Sequence, residues 1–147
     1  MAWTVNGTPI TLSSAGSNLT ITDLDASNTV MYMTHKISTG SNMIHRTQLG
    51  DGSISTSGYK TRFSYDGGTD VTTSDVDISS AHSGEAVSAF TISFLSNPPT
   101  EEKLMIDFAV GANSSGTAPR RGERYAVWTY ATDRADQLKV FTDSNPY

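Results

Sequence analysis

The stretch Leu104-Met105-Ile106-Asp107-Phe108-Ala109-Val110 carries a large apolar side chain at every second position. Successive side chains of a β-strand point to opposite faces, so the large apolar residues from Leu104 to Val110 share one face. A helix would instead repeat apolar residues three or four positions apart. The alternation therefore predicts a strand in a sheet that has one buried face.

The same period of two recurs at Phe90–Phe94 and at Tyr59–Tyr65. Apolar, aromatic and β-branched residues are also concentrated in shorter runs, which predict further strands. These runs are Trp3–Val5, Ile10–Leu12, Leu19–Ile21, Val30–Ile37, Ile44–Gln48, Arg124–Tyr130 and Leu138–Phe141. Val30–Ile37 is apolar on both faces, which predicts a central position between two sheets.

Turn-forming residues separate these strands. Asn6-Gly7 predicts a tight hairpin, because Asn-Gly tolerates the positive φ angles of a type I′ turn. Three further breaks are predicted at Gly50-Asp51-Gly52, Asp66-Gly67-Gly68 and Asn97-Pro98-Pro99. Pro99–Lys103 is predicted to form a single turn, and the polar segment Gly111–Gly122 a long loop.

Short strands with glycine-rich turns are typical of an antiparallel β-sandwich. We predict one all-β, jelly-roll-like domain over residues 1–147, with about eight to ten strands. The ends, Met1–Val5 and Thr142–Tyr147, are predicted to be extended segments that add strands or arms to neighbouring subunits.

Composition excludes several other classes of protein. Among 147 residues, 36% are hydrophobic and 17% are charged, and serine and threonine supply 20 residues each. Only 7 leucines, 4 glutamates and 4 lysines are present, too few strong helix formers for a helical bundle. The chain has no cysteine, which excludes disulfide frameworks and thiolate metal sites.

Charge and the N-terminal residues bear on partners and location. A net charge of −5 disfavours binding to nucleic acid or to anionic lipid, so neither nucleic acid nor membrane is expected as a partner. The N-terminus has neither a basic nor an apolar segment typical of a signal peptide, so synthesis in a cytoplasm without export is expected.

Motifs for chemistry are missing from the sequence. There is no Gly-x-Ser-x-Gly nucleophile elbow, no His-Glu-x-x-His zinc motif and no phosphate-binding glycine loop with lysine. We therefore predict no catalytic residue, no cofactor and no resident metal. Four carboxylates within Asp66–Asp77 leave a calcium loop as an alternative, although turns and solvated loops explain the same residues.

One aromatic and one basic cluster lie near the C-terminus. Trp128 and Tyr130 share one face of their strand, which predicts a core or inter-subunit contact and leaves sugar stacking as an alternative. The arginines at 120, 121 and 124 are interpreted as partners of carboxylates. The residues predicted to contact partners are Trp3, Arg120, Arg121, Arg124, Trp128, Tyr130 and Tyr147.

The stretch Arg121-Gly122-Glu123-Arg124-Tyr125-Ala126-Val127-Trp128-Thr129-Tyr130-Ala131-Thr132-Asp133 resembles a C-terminal pattern of small structural proteins of tailed bacteriophages. The resemblance is limited to Arg121–Leu138 and uses the even spacing of Glu123, Trp128, Asp133 and Leu138. Val127 replaces the lysine that often precedes the tryptophan in that pattern. The resemblance implies a virion component such as a decoration, minor capsid or tail protein.

Independently of that resemblance, Arg124–Tyr130 and Leu138–Phe141 are predicted to pair as a hairpin across the polar turn Ala131–Gln137. The leading hypothesis is a non-enzymatic capsid decoration or cement protein in the virion. Its expected partners are other copies of itself, for example in a trimer, and the major capsid or other virion proteins. The alternatives are a carbohydrate- or receptor-binding module of a tail fibre and a small enzyme on the same fold.

Overall fold

A computed structural model describes residues 18–24, 28–37, 43–82, 86–113 and 118–142. The described residues form eleven β-strands and no helix. The strands are β1 (Asn18–Ile21), β2 (Thr29–Ile37), β3 (Met43–Asp51), β4 (Ser53–Ile54), β5 (Tyr59–Tyr65), β6 (Val71–Asp75), β7 (Ile78–His82), β8 (Ala86–Ser96), β9 (Lys103–Asn113), β10 (Arg120–Trp128) and β11 (Gln137–Thr142).

The strands form two antiparallel sheets. One sheet has six strands in the order β2-β8-β9-β10-β5-β6. The other has five, in the order β1-β11-β3-β4, with β7 also paired to β3. The sheets pack through a shared core, so the predicted all-β sandwich is confirmed, with a strand number slightly above the expected range.

Most predicted strands within the described residues are confirmed, with longer bounds. Strands β4, β6 and β7 were not predicted. Sequence alternation does not identify β6, because most of its residues are polar and exposed at the edge of the sheet. Three predicted features lie outside the described residues: the strands and hairpin before residue 18, the C-terminal extension after Thr142, and residues 114–117 of the Gly111–Gly122 loop. The predicted bounds of that loop are wrong, because β9 continues to Asn113 and β10 begins at Arg120.

The predicted C-terminal hairpin is wrong. β10 lies between β9 and β5 in the six-stranded sheet, whereas β11 lies between β1 and β3 in the five-stranded sheet. The polar segment 129–136 therefore connects the two layers rather than turning within one. Trp128 on β10 and Leu138 on β11 both contribute to the core between the sheets. Both side chains are buried when the two strands lie in opposing sheets, which favours this arrangement over a hairpin within one sheet.

The predicted central position of Val30–Ile37 is also wrong. β2 pairs only with β8 among the described residues, which makes it an edge strand of the six-stranded sheet. Tyr32 points into the core and Val30 packs against it, while Met31 and Met33 are exposed on the opposite side. Val30–Ile37 is apolar on both faces because one face of this sheet meets the core and the other carries exposed apolar residues.

The hydrophobic core lies between the sheets and draws on both of them. The two sheets contribute comparable numbers of large buried side chains. They are Leu49, Ile78, Leu138 and Val140 from the former and Tyr32, Tyr59, Leu95, Met105 and Trp128 from the latter. Burial of this apolar surface provides the main stabilisation of the sandwich.

The turn at Asp66-Gly67 positions the end of β5 beside β10. Asp66 and Gly67 both have positive φ angles, 49° and 76°, and the N–H of Gly68 donates to the carbonyl of Tyr65 at 2.7 Å. This geometry is that of a type I′ turn, which Asp-Gly favours. The predicted break at this position is confirmed.

Candidate functional site

The apolar side of β9 faces solvent, not the core. Leu104, Ile106, Phe108 and Val110 are 54%, 39%, 47% and 42% exposed. The alternate residues Lys103, Met105 and Asp107 are buried between the sheets. The predicted period of two is therefore confirmed. The face that is buried, however, is the one that carries Lys103, Met105 and Asp107, not the uniformly apolar face.

Strand pairing extends this apolar strip across the sheet. Ile106 lies between Phe94 on β8 and Tyr125 on β10, and Phe94 in turn pairs with Met31 on β2. We call the resulting surface the outer face. It consists of Met31, Met33, Phe90, Ile92, Phe94, Leu104, Ile106, Phe108, Val110, Tyr125 and Val127.

The outer face is larger than the apolar patches of most monomeric proteins. Eight of its side chains are more than a third exposed, and the other three are partly buried. Together the eight expose on the order of 700 Å², whereas the largest patch on a typical monomer covers roughly 300–600 Å². A surface of this kind is typical of contact with another molecule.

A cationic margin borders the outer face beyond β10. Lys60 and Arg62 on β5 are exposed and pair in register with Val127 and Tyr125. Arg62 lies 3.5 Å from Asp70. An open groove of about 500 Å³ runs along this margin, between Leu104 and Tyr125 on one side and the hydroxyl-rich strand β6 on the other.

The opposite, inner face of the same sheet contains a buried ion pair. Arg124 on β10 pairs with Asp107 on β9, and its Nη1 donates to the carbonyl of Ile78 at 2.9 Å. Burial lowers the pKa of Arg124 to about 10, so the guanidinium remains charged at neutral pH. A second ion pair joins Arg46, on β3 of the five-stranded sheet, to Asp77, with 2.7 Å between Arg46 Nη1 and Asp77 Oδ2. Each pair brings opposite charges together, which lowers the cost of burying them.

The tryptophan end of β10 belongs to the core. Trp128 is 4% exposed and stacks between Tyr59 and Tyr130, with ring centroids at 6.1 and 4.7 Å. The buried Lys103 ammonium donates to the carbonyl of Tyr130 at 3.1 Å, and burial lowers its pKa. A hydrogen bond from Tyr130 to Asp51 raises the pKa of the tyrosine. Trp128 is therefore in the predicted core setting and is not an open platform for a sugar.

The predicted interaction residues do not form one surface. Arg120 and Arg121 are exposed at one end of β10, and Arg124 and Trp128 are buried. Tyr130 is half-buried, and Trp3 and Tyr147 lie outside the described residues. The structure instead places Tyr125 on the outer face. Tyr125 lies three positions from Trp128, and alternation therefore puts the two side chains on opposite sides of the strand.

Two side chains of the basic cluster, those of Arg120 and Arg124, pair with carboxylates of the chain itself, as interpreted from the sequence. Arg120 Nε lies 3.2 Å from Asp66, and Asp66 accepts a 2.9 Å hydrogen bond from the backbone N–H of Arg121. The Arg121 N–H, with the Arg120 side chain, holds the pKa of the Asp66 carboxyl below its ordinary value. The segment Arg120–Arg124 thus has contacts within the fold.

The carboxylates of Asp66–Asp77 are distributed over separate partners. Asp66 binds the Arg120–Arg121 segment, Asp70 lies beside Arg62, and Asp77 pairs with Arg46. Within the part of the chain that the structure describes, no three histidine, aspartate or glutamate side chains are placed to hold a metal ion. The same part contains no helix long and apolar enough to cross a membrane.

No protein-family model, curated protein or solved structure matches this chain.

Proposed function

We propose that this chain is a non-enzymatic assembly protein whose outer face adheres to neighbouring protein subunits. The observation that carries this proposal is the exposed apolar surface on the six-stranded sheet. Removing about 700 Å² from water contributes roughly 15–20 kcal/mol of gross transfer free energy, before the entropic costs of association. This favourable free energy is gained only if another molecule covers the outer face.

The assembly that we propose is the virion of a tailed bacteriophage, with the chain as a capsid decoration or cement protein. The resemblance at Arg121–Leu138 supports this setting, as do the small size and the lack of cysteine. In this role the protein bridges adjacent shell subunits and opposes their separation. The adhesive contact is apolar and lies on the side of the six-stranded sheet that faces away from the core.

A binding assay on emptied shells tests this function. The shells come from particles in which mass spectrometry detects the chain. The chain is removed from these shells before the assay. The natural protein is expected to rebind and to raise the temperature at which the shells open. The Phe108→Lys variant is expected to lose binding, because it places a charge in the middle of the outer face.

Val76→Lys is the matched control, since Val76 is 52% exposed but lies between β6 and β7, away from the outer face. It is expected to bind like the natural protein. Absence of the chain from every particle, or a protein that neither binds nor stabilises the shells, would contradict the proposal.

A second candidate function is glycan binding by a tail or fibre module. The observation that favours it is the groove beside Tyr125, which combines an exposed aromatic ring, the cations Lys60 and Arg62, and the hydroxyls of β6. Aromatic rings and such polar groups are the usual means of holding sugars, and the cations favour acidic ones. Glycan-array binding that is lost in Tyr125→Ala while the circular dichroism spectrum is unchanged would support this function over the first.

A further inference from the structure

We infer that the outer face is covered by a second copy of this chain, packed sheet on sheet about a two-fold axis that runs parallel to the strands between β8 and β9. The inference rests on the proposed adhesive function and names a second copy of the chain as the subunit that the outer face contacts, so that the chain bridges shell subunits as a dimer. It is carried by the area, the strand arrangement and the charge distribution of the outer face.

The area matches what a stable dimer needs. A standard interface buries about 800 Å² on each partner, with an apolar centre and a polar margin. The outer face offers about 700 Å² of apolar side chain, and Lys60 and Arg62 add polar surface at its edge. The commonest arrangement of identical subunits is a two-fold dimer, in which the same patch contributes from both sides.

The form of the surface indicates another sheet as the partner. The outer face spans four adjacent strands, β2, β8, β9 and β10. Two sheets pack face to face at about 10 Å and keep their strand directions within roughly 30° of each other. A second outer face has the same twist and the same apolar rows, so it satisfies this geometry.

The positions of the charged residues favour a two-fold axis parallel to the strands over one perpendicular to them. An axis perpendicular to the strands would place β5 opposite the β5 of the other copy, so that the partner's sheet would cover Lys60 and Arg62 and take their charges out of water. An axis parallel to the strands places β10 opposite the partner's β2. Because β2 is the edge of the described sheet, β5 then extends beyond the partner and its cations stay in water.

This axis also sets which rows meet. Met31, Phe94, Ile106 and Tyr125 lie at the same height, as the strand register shows. Rotation about an axis parallel to the strands preserves that height. Tyr125 therefore meets Met31 of the other copy, a favourable sulfur–aromatic contact, and Ile106 meets Phe94. Glu123 lies in the same row as Phe108, Ile92 and Met33, so this rotation brings it opposite Met33 of the other copy.

Sedimentation velocity over a range of concentrations measures the association. The natural chain is expected to be a dimer, and Phe108→Lys is expected to weaken dimerisation at least about 30-fold, as loss of a central contact does. The new lysine lies beside Glu123, so the variant is expected to fold, which circular dichroism checks. Val76→Lys is expected to remain dimeric.

Cross-linking tests the axis, and the lack of native cysteine makes it selective. A mixture of Met31→Cys and Tyr125→Cys chains, treated with a short bis-maleimide, is expected to give a covalent dimer. Each variant alone is not, because like residues would be three strand spacings, about 14 Å, apart laterally as well as on opposite sheets. Self-linking of Arg62→Cys would overturn this axis, because it places β5 opposite β5.

The outcome separates this inference from the proposed function. A chain that stays monomeric at every concentration, yet rebinds shells through Phe108, overturns self-association and leaves the adhesive function in place. A monomer that also fails to bind shells overturns both. A dimer that Phe108→Lys does not weaken overturns the use of the outer face as its interface.

Discussion

Arg124 and Asp107 show how single residues decide which side of the sheet is buried. Both lie on the inner face of the six-stranded sheet, where Arg124 also binds the carbonyl of Ile78 on the opposite layer. Transfer of two charges out of water is costly, and their attraction compensates only when both partners are present. Each charge therefore needs the other in this packing, and the pair as a whole is not a source of large net stability.

Removing one partner of this pair is expected to be far more harmful than removing both. Asp107→Leu and Arg124→Met should each lower the free energy of unfolding by about 3–5 kcal/mol, since an unpaired charge remains buried. The double variant is expected to recover most of that loss. Urea unfolding measures all three, and a double variant as unstable as the sum of the single ones would contradict this account.

Asp66 predicts a pH effect at the residue scale. Its folded pKa is depressed, first by the Arg121 N–H and then by Arg120. A depressed carboxyl pKa stabilises the fold above the unfolded value of about 3.9, and this contribution is lost as the pH falls through the folded pKa. Asp66→Asn keeps the turn, since asparagine also tolerates positive φ.

Between about pH 5 and pH 2, Asp66→Asn should therefore lose less stability than the natural chain. Thermal unfolding followed across this window measures the difference, and an NMR titration of the Asp66 carboxyl gives its midpoint directly. An Asp66 midpoint at or above its ordinary value would refute the effect.

At the scale of elements, Tyr59 connects the two sheets. One side of β3 pairs with β7 up to Thr47 and with β4 from Gly50, which leaves Leu49 between them. The hydroxyl of Tyr59, on the six-stranded sheet, accepts from the Leu49 N–H at 2.8 Å and lies 2.9 Å from its carbonyl. Burial raises the pKa of Tyr59 to about 12, so the phenol remains protonated and able to donate.

Tyr59→Phe is expected to destabilise the fold by about 1–3 kcal/mol, because it leaves a buried backbone N–H without its partner. Tyr125→Phe removes the same hydroxyl from the exposed outer face, and a change within about 0.5 kcal/mol is expected there. Chemical unfolding compares the two. Equal effects at both positions would show that the Tyr59 hydroxyl does not connect the sheets.

The whole molecule carries apolar residues on both faces of one sheet. Strand β9 buries Met105 inside and exposes Ile106 and Phe108 outside, so the six-stranded sheet has a core on one side and an uncovered surface on the other. Since apolar burial drives association without long-range electrostatics, the dimer we propose should respond weakly to ionic strength.

Raising the salt concentration to about 1 M NaCl, where the Debye length is near 3 Å, should therefore leave dimerisation unchanged or stronger. Sedimentation equilibrium at several salt concentrations measures the dissociation constant. A dimer that dissociates as salt increases would instead indicate contacts made by Lys60, Arg62 or other charges at the margin.

Much of the local structure was predictable from sequence. The alternation at Leu104–Val110 identified β9, and Asp66-Gly67 and Asn97-Pro98 identified real chain reversals or strand ends. Such signals work because side-chain alternation and turn conformation depend on neighbouring residues only. The aromatic pattern at β10 was partly informative, since it grouped Trp128 with Tyr130 on one face but left open whether that face meets the core or another subunit.

From the amino-acid pattern alone it follows that this chain makes strands, roughly where they lie, and that their side chains divide into two sets. The three-dimensional packing was needed to show that β10 and β11 belong to different sheets and that Met105 and Asp107, not Ile106 and Phe108, face inward. This is because alternation is symmetric between the two faces of a strand. Burial depends on distant partners, here Arg124 for Asp107 and the opposing sheet for Met105, which no local pattern encodes.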